Sequence, residues 1–291
     1  MPKLGEYQYL LDTVFFLYPD ERSAQEGRSA GGSGFLVAIP STGSPHTFHH
    51  VYAVTNWHVV VPGGFTVLRV NKKDGGTDVI PTEAHEWTYR DKGPDIAVRQ
   101  LGFDTNIHKV EALLIDSYCL RNAEIRDLEI NAGEDVFMVG RFLDYDGTEG
   151  IVPAMRFGNI SIMRATVRRE TGYLGEAVIV DMHSRTGFSG SPVFVFRTAG
   201  SIFAGANTLV GGGHLLKLLG VHFGQFREAW DIVPHSGQGL EASTVELTEG
   251  MKVAGMSGMT VVCPAENLLQ LLDCESIRCE RAAVERKVFG T

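Results

Sequence analysis

TGFSGSPVFVF, residues 186–196, sets one serine between two glycines and follows it with a proline and an apolar, β-prone run. Gly and Ser are common turn formers, so at its simplest the stretch is a tight turn entering a strand. It also reads as a nucleophile whose backbone must take an unusual shape, with Ser189 as the reacting residue. Ser191, beside Pro192, is the rival. What the rest of the chain offers decides between these readings.

The 291 residues are enough for one large or two small domains with substantial cores. A hydrophobic share of 44% and a charged share of 21% are ordinary for a globular protein. A formal net charge of −9 disfavours a general phosphate-binding surface, so no nucleic-acid partner is expected. No apolar run is long enough for a membrane helix, and no membrane partner is expected. The start, MPKLGEYQYLLDTVFFLYPDE, lacks the basic opening and small-residue cleavage site of a secretory signal, and a cytoplasmic location is expected. Within it, YLLDTVFFLY reads as a first strand. The four cysteines, Cys119, Cys263, Cys274 and Cys279, form no CxxC pair and no common zinc spacing, so reduced thiols and no metal or other cofactor are expected.

Glycine punctuates a series of short apolar runs: GFLVAI, VYAVTN, FTVLRV, DIAVRQL, DVFMVGRF, AVIVDM, SPVFVF, KLLGVHF and MTVVCP. Rich in Val, Ile and Phe and bounded by Gly, Pro, Asp or Asn, they are strand signals. Their number predicts an all-β sandwich or barrel, and the lack of alternating long helices disfavours a parallel α/β sheet. One helix is predicted over 264–288, with Pro264 in its first turn and Leu268, Leu269, Leu271 and Leu272 as an apolar stripe. Residues 105–130 read as a mixed linker between two strand-rich halves, and INAGEDVFMVG (130–140) as a turn entering a strand. Residues 20–33, 197–213 and 231–258 read as long loops.

A serine hydroxyl is a poor nucleophile until an imidazole takes its proton, and the imidazole must be held in one tautomer, usually by a carboxylate. His58 follows at once on the end of a strand in VYAVTNWHVV. Asp95 stands at the mouth of another strand in KGPDIAVRQL, with Asp91 and Asp78 as rivals. The order is thus His58, Asp95, Ser189, each at the edge of an apolar strand. The adjacent pair His49–His50 points to opposite faces of a strand, so a shared ion is disfavoured and both read as surface residues. His85, His108, His183, His214 and His235 have no recognisable partners and read as exposed.

GSGFLV, AVTNWHV, PDIAV, GFSGSPVF and LLGVHFG, in this order over roughly residues 30–265, resemble the trypsin-like serine peptidases in their compact bacterial form. The resemblance implies two perpendicular antiparallel β-barrels of the chymotrypsin type with a C-terminal α-helix. The implied division is an N-terminal barrel over 8–120 carrying His58 and Asp95, a C-terminal barrel over 121–263 carrying Ser189, and the helix over 264–291. It implies that Ser189 attacks the scissile carbonyl, His58 carries the proton, Asp95 fixes the imidazolium, and the N–H groups of Gly187 and Ser189 form the oxyanion hole. Only glycine easily adopts the backbone shape such a donor needs. The partner implied is a protein or peptide substrate. The chain does not state its oligomeric state.

Phe188 departs from the animal digestive members, which carry Asp before the nucleophile to pair with a new N-terminus, so activation by N-terminal cleavage is not expected. No second peptide-sensing domain is evident. The specificity pocket is implied to use Ser184, His222 and Gly224. GVHFG resembles the GIHWG-type strands of glutamyl endopeptidases and the GMH strands of related viral cysteine proteases, and Ser184 matches the hydroxyl that helps the histidine. A protonated His222 would pair with a Glu carboxylate, and a neutral one could donate to a Gln carbonyl. A satisfied interior histidine with a pocket for small or apolar residues is the alternative. At the level of function, the alternatives are a catalytically silent or latent trypsin-like fold acting as a protein-binding module, and an esterase of another fold. An α/β-hydrolase elbow needs a helix after its serine and the order Ser, acid, His, neither of which this chain has.

Overall fold

The computed structural model describes residues 4–44, 46–141, 150–168, 172–183, 187–197, 215–231 and 252–290. The strands fall into two sheets. The first holds β1 (Val14–Tyr18), β2 (Gly32–Pro40), β3 (His49–Thr55), β4 (Val67–Asn71), β5 (Thr77–Ile80), β6 (Thr88–Tyr89), β7 (Ala97–Leu101) and β8 (Leu113–Leu114). Its order is β5-β4-β1-β2-β3-β7-β6, with β8 pairing β2 in parallel. The second holds β9 (Asp135–Gly140), β10 (Ala154–Arg168), β11 (Leu174–Asp181), β12 (Pro192–Arg197), β13 (Leu215–Asp231) and β14 (Lys252–Pro264). It closes into a barrel in the order β10-β11-β14-β13-β12-β9. Each strand of the ring pairs with a neighbour on both sides over part of its length, although β13 runs on beyond its ladder with β12. In the first half, where a barrel is expected, the ladder path runs open from β5 to β6 among the described residues.

The all-apolar run after Ser189 is explained by burial on both faces of β12. Side chains alternate along a strand. Val193 and Val195 enter the barrel interior with Val136, Met138, Val180 and Val262. Phe194 points the other way, into a core shared with Phe35, Val37 and Val54 of the first sheet and with Leu268 and Leu272 of the C-terminal helices. Phe137 stacks on it at 5.2 Å between ring centroids. One core therefore runs through both halves, and β12 forms part of the wall between them.

Several expected elements differ. Of YLLDTVFFLY only Val14–Tyr18 is strand; Leu4–Thr13 is a 3-10 segment, fastened by a 2.7 Å bond from Thr13 Oγ1 to Leu10 O. The expected loop 20–33 contains α1 (Glu21–Glu26). Asp20 caps it by accepting from Ser23 N at 2.7 Å, and Gly27 ends it at φ 69°. Residues 105–130 hold, besides β8, two short helices, α3 (Ile115–Tyr118) and α4 (Asn122–Asp127). The single C-terminal helix is two, α5 (Ala265–Leu272) and α6 (Glu275–Phe289), because the leucine stripe ends at Leu272 and Cys274 is extended. Of the expected loops 197–213 and 231–258, residues 198–214 and 232–251 lie outside the described residues, while 252–258 belong to β14.

Candidate active site

β3 ends at Thr55, and the next turn, α2 (Trp57–Val60), carries His58. β7 pairs β3 with Thr55 opposite Ala97, so the ladder brings Asp95, just before β7, beside the residues that follow Thr55. The contact is threefold. His58 N donates to Asp95 Oδ1 at 3.0 Å, His58 Nδ1 meets Asp95 Oδ2 at 2.6 Å, and Asn56 Nδ2 donates to Asp95 O at 2.7 Å. A carboxylate only accepts, so Nδ1 carries a proton, and in the neutral ring Nε2 is the nitrogen with the lone pair. Asp95 is 5% exposed, whereas the His58 side chain is 37% exposed. The carboxylate is thus locked away while the imidazole reaches solvent.

The Ser189 turn is shaped by two left-handed glycines, Gly187 at φ 98° and Gly190 at φ 86°. Ser191 N donates to Phe188 O at 2.9 Å and closes it. Ser33 of β2 then grips it from the other half. Its hydroxyl donates to Gly187 O at 2.8 Å, and its N–H donates to Ser189 O at 2.8 Å. Ser33 O in turn accepts from Thr55 Oγ1 at 2.7 Å. A Cβ on Gly190 would collide with Ser33 O and Thr55 Oγ1, so only glycine lets the turn sit this close to the end of the His58 strand. Ser189 is half-buried, and its Oγ makes no hydrogen bond among the described residues. Nor do the N–H groups of Gly187 and Ser189 find an acceptor among them. His58 and Asp95 are therefore in direct contact, and Ser189 joins them through Ser33 and Thr55.

The rivals are placed elsewhere. Ser191 is fully buried, packed against Gly140 and Phe188. Asp78 accepts from His108 Nε2 at 2.9 Å, and Asp91 is exposed. Two histidines differ from expectation. His108 is paired and 11% exposed. His50 is buried between Gln100 (3.0 Å) and Glu285 (2.9 Å), beneath α6. Glu285 also accepts from Thr42 N at 3.0 Å and from the Thr42 hydroxyl, and these bonds with the one to His50 hold its carboxyl down to about 2.

Of the expected specificity residues, Ser184 lies outside the described residues. Gly224 faces open space on the wall of the cleft beside His58. His222 lies beneath the nucleophile turn, 3% exposed. Its N–H donates to Ser191 O at 2.9 Å, its carbonyl accepts from Gly190 N at 3.0 Å, and its Nδ1 meets Phe188 O at 3.0 Å. Burial pushes its pKa down to about 4; the Phe188 carbonyl and Asp95 oppose this, and His58 adds to it. The ring is therefore neutral near pH 7. A carbonyl beside Nδ1 favours the tautomer with the proton there, in which Nε2 of the neutral ring accepts.

The low pKa has a stability consequence. The unfolded chain takes up the His222 proton near pH 6.5, and the folded chain only near 4. Stability from this residue is therefore complete above about pH 6.5 and falls as the pH drops toward 4, by roughly 3 kcal/mol. Urea unfolding at pH 7, 5.5 and 4 checks this, with His222→Gln expected to reduce the slope.

Sequence reading missed Ser33, Thr55, Asn56 and Arg141. Arg141 is buried, donates from its N to Ser33 Oγ at 3.0 Å, and lies 3.4 Å from where a Cβ on Gly187 would sit. For Ser33, Thr55 and Asn56 the signal was the glycine and threonine setting of GSGF and VTNWH, but Ser33 meets Gly187 and Arg141 more than 100 residues away, and Thr55 and Asn56 meet Ser33 and Asp95 at separations of 22 and 39 residues.

The family model for the trypsin-like peptidase domain matches residues 32–202, more than half of the chain, and the chain belongs to that family. Among solved structures it is similar to the MamO protease domain from Magnetospirillum magneticum. That match has a TM-score of 0.52 and 14% identity, covering 92% of this chain and all of that one. It also matches an inactive form of Rv3671c from M. tuberculosis H37Rv, with a TM-score of 0.45 and 14% identity over 94% of this chain and 93% of that one. At 14% identity the likeness to the MamO domain is one of fold. No curated protein sequence matches the chain.

Proposed function

We propose that the chain is a serine endopeptidase acting on protein or peptide substrates. Ser189 Oγ attacks the scissile carbonyl while His58 Nε2 takes its proton. The carbon–nitrogen bond then breaks, the proton passes to the leaving amine, and an acyl-enzyme on Ser189 remains. Water attacks that ester with His58 again as base, releasing the acid and restoring Ser189. Asp95 holds Nδ1–H and stabilises the imidazolium, and the N–H groups of Gly187 and Ser189 receive the oxyanion. The observation that carries this reading is the 2.6 Å contact from His58 Nδ1 to a buried Asp95, which leaves Nε2 as a base beside a glycine-shaped serine turn.

For the residue before the cleaved bond, the reading favours Gln over Glu. A neutral His222 brings no positive charge to pair with a carboxylate. A second reading, a latent enzyme, draws support from the absence of a hydrogen bond between Ser189 Oγ and His58. Catalytic hydrogen bonds are often long until substrate arrives.

Fluorophosphonate labelling of the full-length protein separates the two. Stoichiometric labelling at Ser189, abolished by heat denaturation, is expected of the enzyme. A folded protein that stays unlabelled in the presence and absence of peptide would overturn it.

A further inference from the structure

Beside His58 lies a cleft of ≈ 670 Å³ whose walls include Trp57, Phe223, Phe226, Arg168 and Arg227. Arg168 ends β10, Arg227 lies on β13, and both are exposed. Neither has an ion-pair partner among the described residues. Other arginines nearby are engaged: Arg164 pairs with Glu176 at 3.6 Å, and Arg156 stacks over the Phe188 ring at 5.3 Å. The acidic residue on the cleft wall, Asp95, is held by His58. The cleft is therefore locally cationic on a chain of net charge −9. Its aromatic walls, Trp57, Phe223 and Phe226, offer apolar surface beside the two guanidinium groups.

The backbone says what lies there. β13 pairs β12 only as far as Val221, opposite Pro192. From His222 to Arg227 its ladder partner is β14, so its other edge carries no strand among the described residues. An extended peptide adds to such an edge by main-chain hydrogen bonds. Every ladder of this barrel is antiparallel. A peptide continuing that pattern runs from Arg227 toward His222, so the residues preceding the bond at Ser189 face Gln225, Phe226 and Arg227.

We propose that Arg168 and Arg227 select acidic side chains upstream of the cleaved bond, so that preferred substrates are extended acidic peptides. The proposal rests on the endopeptidase reading, which supplies the direction of the chain. Each guanidinium offers a carboxylate charge-assisted hydrogen bonds. The aromatic rings take the aliphatic part of the same side chains.

The test is equilibrium binding to the full-length Ser189→Ala protein, which cannot consume its ligand. Two fluorescent peptides carry Gln before the bond and either Glu or Lys at the second to fourth positions before it. The Glu peptide is expected to bind about tenfold or more tightly at low salt, with the advantage shrinking in concentrated salt. Arg168→Gln combined with Arg227→Gln should erase the difference, and Arg227→Glu should reverse it. Equal binding of the two peptides, no measurable binding of either, or a preference that survives the double variant overturns the proposal. Labelling judges the other reading separately. A labelled wild type with indifferent binding sinks the acidic subsite alone. An unlabelled wild type with an intact Glu preference sinks the catalytic reading alone.

Discussion

Replacing Ser189 with Ala, or His58 with Ala, is expected to lower kcat for peptide hydrolysis by about six orders of magnitude, and combining the two is expected to cost little more. In the proposed mechanism the residues act as one unit. Without Nε2 as base the Ser189 hydroxyl is no better than water, and without the hydroxyl the base has nothing to activate. The residual rate belongs to the oxyanion donors of Gly187 and Ser189, which are backbone groups and survive both substitutions. His58 is reached by solvent and Ser189 is half-buried in a turn, so neither change opens a cavity in the core. Active-site titration beside circular dichroism measures both sides of this expectation. A Ser189→Ala protein retaining a hundredth of wild-type turnover would remove Ser189 from the chemistry.

Asp95→Asn is expected to lower kcat by about ten-thousandfold with the fold intact. The geometry gives the reason. Oδ1 accepts the His58 backbone N–H at 3.0 Å, and Oδ2 accepts from Nδ1 at 2.6 Å. An asparagine has one acceptor oxygen. The backbone N–H can only donate, so it claims that oxygen, and the amide NH2 is turned toward Nδ1. Nδ1 must then accept, the proton moves to Nε2, and the base required by Ser189 is lost. Proton NMR of the imidazole should reveal the exchanged tautomer, a signature that mere loosening of the loop would not give. Wild-type turnover in Asp95→Asn would be incompatible with the proposed role.

What the sequence disclosed depends on how far each residue's partner lies along the chain. The strand after Ser189 was legible because Val193, Phe194 and Val195 are buried on both sides of one strand, which needs an unbroken apolar run. His58 and Asp95 were legible because each immediately adjoins such a strand. His50 was misread as a surface residue because what buries it, Glu285 on α6, is 235 residues away. His108 was misread for the same reason, its partner Asp78 being 30 residues earlier. α1 escaped notice although Asp20 and Gly27 are ordinary helix boundaries; the polar, glycine-rich setting masked them. The break at Cys274 follows from tertiary packing that ends with the leucine stripe, which a period of leucines alone does not locate.

Ser33 holds the Gly187 and Ser189 carbonyls of the serine turn from the opposite sheet, and its own carbonyl is tied to Thr55. The reactive geometry is therefore not the property of either half. It exists only while they are docked, like a lock whose bolt and keeper sit on different leaves of a door. Admitting a water at Ser33 is expected to release the Gly187 carbonyl and so disturb the proposed oxyanion site.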